Sequence, residues 1–213
     1  MAASLEVELK LRAEDDEPLR RLATVEGLGP YRLGPPAEVA ELDRYLDTAD
    51  GRLAAARWAC RLRTRDGRMR VSLKGPAEHD AGDMVHRRPE LEGPANDSLD
   101  LTSWPPSAAR DRLQELAAGQ PLVERLALRQ ERIERLVSDD AETVGTLSLD
   151  RVTVLRAGRM HGGFLVIELE LRPDAPDESV LDALLQELRA VDGLLPEPRS
   201  KLERALDLLP AVP

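Results

Sequence analysis

The sequence predicts an α+β fold, an eight-stranded antiparallel β-barrel with flanking helices, and three stretches predict it. The first is Leu5-Glu6-Val7-Glu8-Leu9-Lys10-Leu11-Arg12, which alternates apolar and charged residues without a break. Successive side chains of a strand point to opposite faces. Leu5, Val7, Leu9 and Leu11 therefore share one face, and Glu6, Glu8, Lys10 and Arg12 the other. Taken alone, this is the signature of a half-buried surface strand. The second stretch repeats the pattern in Val166-Ile167-Glu168-Leu169-Glu170-Leu171-Arg172. The third runs from Trp58 to Lys74. It sets Arg61, Arg63 and Arg65 on one face, turns at Asp66-Gly67, and returns with Arg68, Arg70, Ser72 and Lys74 on one face. A face lined with cations repels itself unless anions stand opposite. A charged barrel interior explains several such faces better than many charged exteriors do.

The bulk numbers agree with one domain spanning residues 1–213. Hydrophobic residues make up 42% of the chain and charged residues 33%, which is globular but charge-rich. Aromatics contribute only 2%, so the core is built from Leu, Val and Ala. The net charge of −10 argues against a nucleic-acid partner, which calls for a basic surface. Cys60 is alone, so an intrachain disulfide is excluded and a reducing compartment is expected. The start of the chain, Met1-Ala2-Ala3-Ser4-Leu5-Glu6, lacks a basic segment followed by an apolar one. No apolar run approaches the roughly 20 residues that span a bilayer. The expectation is a cytoplasmic protein with no membrane partner.

The remaining elements follow in order. Glu14 to Glu26 reads as a helix, with Leu19, Leu22 and Val25 at helical spacing, Pro18 near its start and Gly27 past its end. Gly29 to Pro36 is a connection. Val39 to Thr48 reads as a strand. Glu78 to Gly82 is a polar loop, and Met84 to Glu92 a strand with His86, Arg88, Glu90 and Glu92 in alternation. Pro89 within it suggests an edge position or a bulge. Asn96 to Pro106 is irregular. Ser107 to Ala118 reads as a helix capped by Ser107 and stopped by Gly119. Leu122 to Val137 is ambiguous, because Arg125, Arg129, Arg132 and Arg135 could stripe a helix. A strand from about Ala127 to Val137 is preferred because it continues the meander. Thr146 to Leu155 and Phe164 to Arg172 are strands. Asp177 to Val191 is the clearest helix, capped by Asp177, and Ser200 to Leu209 the last.

An interior built this way carries two kinds of group. Glu6, Glu8, Glu90, Glu168 and Glu170 are carboxylates, and Lys10, Arg61, Arg63, Lys74, Arg132 and Lys201 are cations. Buried charges need partners. Carboxylates without His or Cys suit hard divalent cations such as Mg²⁺, and Arg and Lys suit phosphate oxygens. A site holding both fits a metal-bound polyphosphate. The chain has no Gly-rich phosphate loop, so side chains would have to hold the phosphates. His79, His86 and His161 lack metal-ligand spacing and are read as surface residues, and Trp58 and Trp104 as packing residues.

Glu6-x-Glu8-x-Lys10 resembles the ExExK signature that opens the CYTH domains, the triphosphate tunnel metalloenzymes. Tyr45-x-Asp47-Thr48, Arg61-x-Arg63, Lys74, Arg88-Pro89-Glu90, Arg132, Asp150, Glu168-x-Glu170 and Ser200-Lys201 follow in the family's order, over nearly the whole chain. The resemblance implies a tunnel that binds a triphosphate with a divalent metal, Mg²⁺ or Mn²⁺. Glu6, Glu8 and Glu170 would be the main metal ligands, with Glu168 and Glu90 nearby and Asp150 orienting a second metal or water. Lys10, Arg61, Arg63, Lys74, Arg132 and Lys201 would hold phosphates, and Glu6, Glu8 and Lys10 would carry catalysis. A one-residue slip around Arg132 would flip every side chain of its strand, so Arg129 and Arg135 remain alternatives. Arg65, Arg68 and Arg70 are placed outside the tunnel or at its mouth. The chain looks like a stand-alone CYTH domain without the helical CHAD domain that some members carry.

The function expected from the resemblance is hydrolysis of inorganic tripolyphosphate to phosphate and pyrophosphate, by a monomer or homodimer acting on a small molecule. Thiamine triphosphatase, class IV adenylate cyclase and a non-catalytic polyphosphate-binding module are the alternatives. The scarcity of aromatics disfavours a pocket that stacks an organic group.

Overall fold

Alternation along β1 (Ser4–Ala13) buries both of its faces. The computed structural model describes residues 4–77, 84–139, 142–173 and 179–210. Eight antiparallel strands close on themselves in the order β8 (Leu122–Ser138), β4 (Ala37–Thr48), β5 (Ala59–Arg65), β6 (Arg68–Lys74), β7 (Val85–Pro94), β1, β10 (Arg159–Leu171) and β9 (Thr143–Arg156). Pairing of β9 with β8 over most of their length completes the barrel. The register sets the charged positions side by side, with Glu8 opposite Glu170, Lys10 opposite Glu168, Glu6 opposite Arg88 and Lys74 opposite Glu90.

The apolar core lies outside this barrel. Leu9, Leu11, Leu147, Leu149, Ile167 and Leu169 project outward from β1, β9 and β10. They are covered by α1 (Glu17–Thr24) and by α4 (Ser179–Arg189) through Val180, Leu181, Leu184, Leu185 and Leu188. On the other side Leu46, Cys60, Leu62, Val71 and Leu73 pack beneath Trp104, α2 (Arg52–Ala55) and α3 (Ala108–Ala117). A third cluster fills one end of the interior, where Leu126, Leu128, Val152, Val154, Phe164 and Val166 meet Ala205 of α5 (Lys201–Asp207). That end is plugged, and the other end opens beside the β5–β6 hairpin.

Several expectations are corrected. The ambiguous stretch is a strand, but it starts at Leu122, five residues before the expected Ala127. The connection at 29–36 contains β3 (Tyr31–Leu33), which pairs with β2 (Gly27–Leu28) and with the end of β8. The short β11 (Leu194–Pro196) extends the pairing of β1 beyond β7. Pro89 sits in a strand paired on both sides, neither an edge nor a bulge. It is tolerated because β6 ends at Lys74, opposite Glu90, and the next residue, Gly75, only donates its N–H to the Pro89 carbonyl. His86 is not a surface residue: it is buried, with Nε2 3.3 Å from the Glu197 carbonyl. The expected loop at 78–82, His79 and the proposed cap Asp177 lie outside the described residues.

Candidate active site

Period-two alternation aims one face of each barrel strand inward, and the apolar plug fixes how deep the polar part reaches. What remains is a cavity of about 190 Å³. It is lined by the cations Lys10, Arg61, Arg63, Lys74, Arg88, Arg132 and Lys201 and by the carboxylates Glu6, Glu8, Glu90, Glu92, Glu168 and Glu170. Of the sequence-derived candidates only Asp150 is absent from the wall. It stands directly behind it, fully buried.

The charges form linked clusters. Near the start of β1, Glu6 receives Arg88 Nε at 2.6 Å and is also bonded by Lys74. Arg88 reaches Glu8 at 3.0 Å, and Lys10 reaches the same Glu8 oxygen at 2.9 Å. Burial opposes ionisation of Glu6, but Lys74 and then Arg88 outweigh it and hold the carboxyl well below the usual range. Glu170 goes the other way. Desolvation, then the Glu6 carboxylate, with Glu8 and Glu90 adding to it, push it up to about 7. It remains solvent-exposed on one side.

Deeper in, Arg132 grips Asp150 with two bonds of 2.7 and 2.8 Å, and Lys201 adds a third at 2.6 Å. Lys201 also reaches Glu168 at 2.7 Å, and Lys10 lies 3.3 Å from Glu168. Both oxygens of Asp150 are thus taken by cations. In this arrangement it is a counter-ion for Arg132 and Lys201 rather than an open metal ligand. Arg132 is the inward arginine of β8. Arg129 is exposed, and Arg135 points to the outer side, where its guanidinium bonds the carbonyls of Leu22, Val25, Leu33 and Gly34.

Toward the mouth, Arg63 is held bidentately by Asp43 at 2.7 Å and lies 3.0 Å from Glu41, and Arg65 is held bidentately by Glu134. Arg61 is less engaged. Its ion pairs with Asp43 and Glu90 are 3.8 Å long, it donates to Ser72, and its buried Nε has no hydrogen-bond partner. Beyond it the mouth widens to a space of about 560 Å³ lined by Glu41, Arg61, Arg63, Arg65, Asp66, Arg68, Arg70, Ser72 and Glu92, with no aromatic side chain. Arg65, Arg68 and Arg70 therefore stand at the mouth, as expected.

Sequence reasoning gave no role to Arg88, Glu41, Asp43 or Gln130, although Gln130 donates to Asp43 at 2.7 Å. The signal for Glu41, Asp43 and Tyr45 was their alternation with Leu42 and Arg44. Asp47, in contrast, is structural, since it accepts the backbone N–H groups of Thr48, Leu53 and Ala54 and so starts α2. The chain contains only three lysines, and all three line the cavity.

The CYTH domain model matches residues 4–206. The chain belongs to the CYTH family. No curated protein matches it. Among solved structures, this CYTH protein is similar to a candidate adenylyl cyclase from Hippeastrum described as having a dominant triphosphatase activity. The two share 22% identity over 95% of each chain, with a TM-score of 0.71. It is also similar to a candidate adenylate cyclase from Bacillus halodurans, at 22% identity, with coverage of 96% and 98% and a TM-score of 0.64. The triphosphatase of the Mimivirus capping enzyme follows at 10% identity, with coverage of 88% and 89% and a TM-score of 0.53. At these identities the likeness establishes the barrel of this CYTH protein and nothing finer. No helix among its described residues is long and apolar enough to cross a membrane.

Proposed function

We propose that this CYTH protein hydrolyses inorganic triphosphate to phosphate and pyrophosphate with a bound divalent metal, Mg²⁺ or Mn²⁺. The observation that carries the reading is the wall of the cavity, where seven cations and six carboxylates face one another in a small space plugged at one end. A bare polyanion would meet the carboxylates and a bare metal the cations. A metal–triphosphate pair matches both.

The donor set fits a hard cation. Glu6, Glu8, Glu90 and Glu170 supply only oxygen, and Glu170 is raised by desolvation and then by the neighbouring carboxylates, both of which a positive ion would offset. Among the described residues no three acids already converge as a cage, because the same carboxylates now engage Lys74, Arg88 and Lys10. Binding would exchange partners, with these cations turning to phosphate oxygens. Glu6, Glu8 and Glu170 would hold the metal, with Glu90 beside them and Glu168 and Asp150 anchoring the cations. When bound, the metal supplies neutralising charge and acidifies a bound water.

The protein's own part is to position the chain and neutralise its charge. Lys10, Arg61, Arg63, Lys74, Arg132 and Lys201 hold the phosphates, Arg61 with the most unspent donor capacity, and Arg88 joins them. Water attacks a terminal phosphorus, the bond to the bridging oxygen breaks, and pyrophosphate leaves as the second product. A tunnel carboxylate orients that water. The aromatic-free mouth offers no platform for stacking adenine or a thiazolium ring, which favours the inorganic substrate over ATP and thiamine triphosphate. The substrate is a small molecule, and the active species is a monomer or homodimer.

The deciding experiment is phosphate release from tripolyphosphate, thiamine triphosphate and ATP, each with Mg²⁺, Mn²⁺ or excess chelator. Metal-dependent turnover of tripolyphosphate well above the other two is expected. Preferred turnover of an organic triphosphate, or cyclic AMP formed from ATP, would replace this reading. Tight binding without turnover would make the protein a binding module.

A further inference from the structure

Glu197 is a carboxylate buried to 1% exposure, yet it is not part of the cavity wall. It lies between β11 and α5, and each of its groups ties one of these parts to the barrel. Its N–H donates to the Lys10 carbonyl at 3.3 Å, directly behind the tunnel face of β1, and its own carbonyl meets His86 of β7. Its carboxylate accepts the N–H of Arg199 at 3.2 Å, Nε of Arg199 at 3.0 Å and a short bond from Nη1 of Arg204. Arg204 sits one helical turn after Lys201 and also stacks over Phe164, 4.8 Å from its ring centre, at the apolar plug.

We propose that Glu197 is the positioning residue for Lys201: it clamps the start of α5 to the tunnel strands so that the ammonium stands over Asp150 and Glu168. A seven-residue helix has little stability of its own. The capping box of Ser200 and Glu203 fixes where it begins. Ala205 holds its far side in the plug. Lys201 itself bonds Asp150 and Glu168 and Leu202 packs against the plug, and the Glu197 clamp adds the link that joins the near end, through Arg204, to the backbone of Lys10 and to His86. Lys201 is 6% exposed and holds two carboxylates at 2.6 and 2.7 Å. A displacement of about 1 Å at such a group can cost about 10²-fold in rate. The functional consequence rests on the triphosphatase reading, but the positioning itself does not.

The test uses amine-directed labelling resolved by residue in a mass spectrometer. Because Lys10, Lys74 and Lys201 are the only lysines, side-chain labelling reads the tunnel alone, with two internal references. In Glu197→Ala the labelling rate at Lys201 should rise at least tenfold, while Lys10 and Lys74 stay as in the wild type. Glu197→Gln, which still accepts from Arg199, should fall between. An unchanged rate at Lys201, or an equal rise at all three lysines, would overturn the proposal, the latter by showing general loosening. If Glu197→Ala does not fold, Arg204→Gln removes the other half of the clamp from a more open position, and the same three rates decide. Where tripolyphosphate is turned over, Glu197→Ala should lower kcat/KM and add no further loss in a Lys201→Ala background. An additive loss would mean that Glu197 acts elsewhere. Failure of tripolyphosphate turnover in the wild type would sink the triphosphatase reading and leave the labelling result standing.

Discussion

At the scale of single residues, the charge network separates stability from chemistry. Asp150 has no solvent and three bonds from two cations, so removing Arg132 takes two of the three and leaves Lys201 as its only cation among these. Breaking such a buried pair costs about 3–5 kcal/mol. Arg132→Ala should therefore destabilise the protein by that order in denaturant unfolding, and Arg132→Ala with Asp150→Asn should recover part of it. A double-variant cost equal to the sum of the Arg132→Ala and Asp150→Asn costs would mean that the pair is not coupled. Glu6→Gln and Glu8→Gln keep the shape of the side chain, so they should leave the fold intact and lower tripolyphosphate turnover by about 10²-fold or more. Full activity in both would remove these residues from the site. The candidates Glu6, Glu8, Lys10, Arg61, Arg63, Lys74 and Glu168 were legible because period two leaves no choice of face once one neighbour is placed. Arg132 was legible only in part. Its stripe with Arg129 and Arg135 satisfies a helix as well, and pairing with Asp150 on β9 is what selects it. Glu197 gave no sign, because its burial depends on a turn held by the distant residues Lys10 and His86 as well as by Arg204.

At the scale of elements, local chemistry predicted those parts that local chemistry determines. The β5–β6 turn falls at Asp66-Gly67, both with positive φ, at 50° and 70°. This is the conformation a two-residue hairpin requires. A side chain at Gly67 would meet nothing within 4 Å, so Gly67→Ala isolates the backbone effect. It should cost about 1 kcal/mol in denaturant unfolding, and a neutral result would mean that the hairpin relaxes. The helix α3 likewise follows from its caps, with Ser107 accepting from Arg110 N–H and Ala118 in the left-handed region. The short strands β2, β3 and β11 were invisible because two or three residues hold no period. They are strands only through their partners on β8 and β1. His86 was misread for a related reason. It lies on the charged face of β7, and its burial is completed by the 194–200 segment arriving from the far end of the chain.

At the scale of the molecule the protein is inverted, with its two larger apolar clusters outside the barrel and its charges within, above the apolar plug. Loss of stability in acid should therefore draw on the paired carboxylates of the interior. Asp43 illustrates the sign. Burial opposes its ionisation, but Arg61 and Arg63 outweigh it and lower the carboxyl from 3.8 to about 2. Its contribution is complete above 3.8, where the unfolded carboxyl is also ionised. It is lost as pH falls toward 2, because the unfolded chain then binds the proton first. Unfolding free energy followed from pH 6 to pH 2 should fall less steeply in Asp43→Asn, by about 2 kcal/mol over that range. Parallel curves would assign the acid sensitivity to other carboxylates.

On the proposed function, the same inversion would make the cavity a coincidence detector for two ligands of opposite charge. Seven cations and six carboxylates leave the wall near balance, so neither ligand alone can replace the ion pairs it breaks. Tripolyphosphate that drew away Lys74 and Arg88 would leave Glu6 without these partners and Glu8 with Lys10, and a metal that took Glu6 and Glu8 would free those cations against each other. Each ligand thus removes the penalty that the other incurs, which is positive coupling and must be reciprocal. A ligand that binds only the folded state raises stability by about 2.7 kcal/mol at a hundredfold excess over its Kd, so thermal unfolding reports the coupling directly. The midpoint shift with Mg²⁺ and tripolyphosphate together should exceed the sum of the separate shifts. In calorimetry the Kd for tripolyphosphate should weaken at least tenfold with excess chelator. A variant such as Glu6→Gln should lose the metal dependence while retaining part of the anion affinity. Additive thermal shifts, or a Kd indifferent to chelator, would mean that the carboxylates serve only to hold the cations in place.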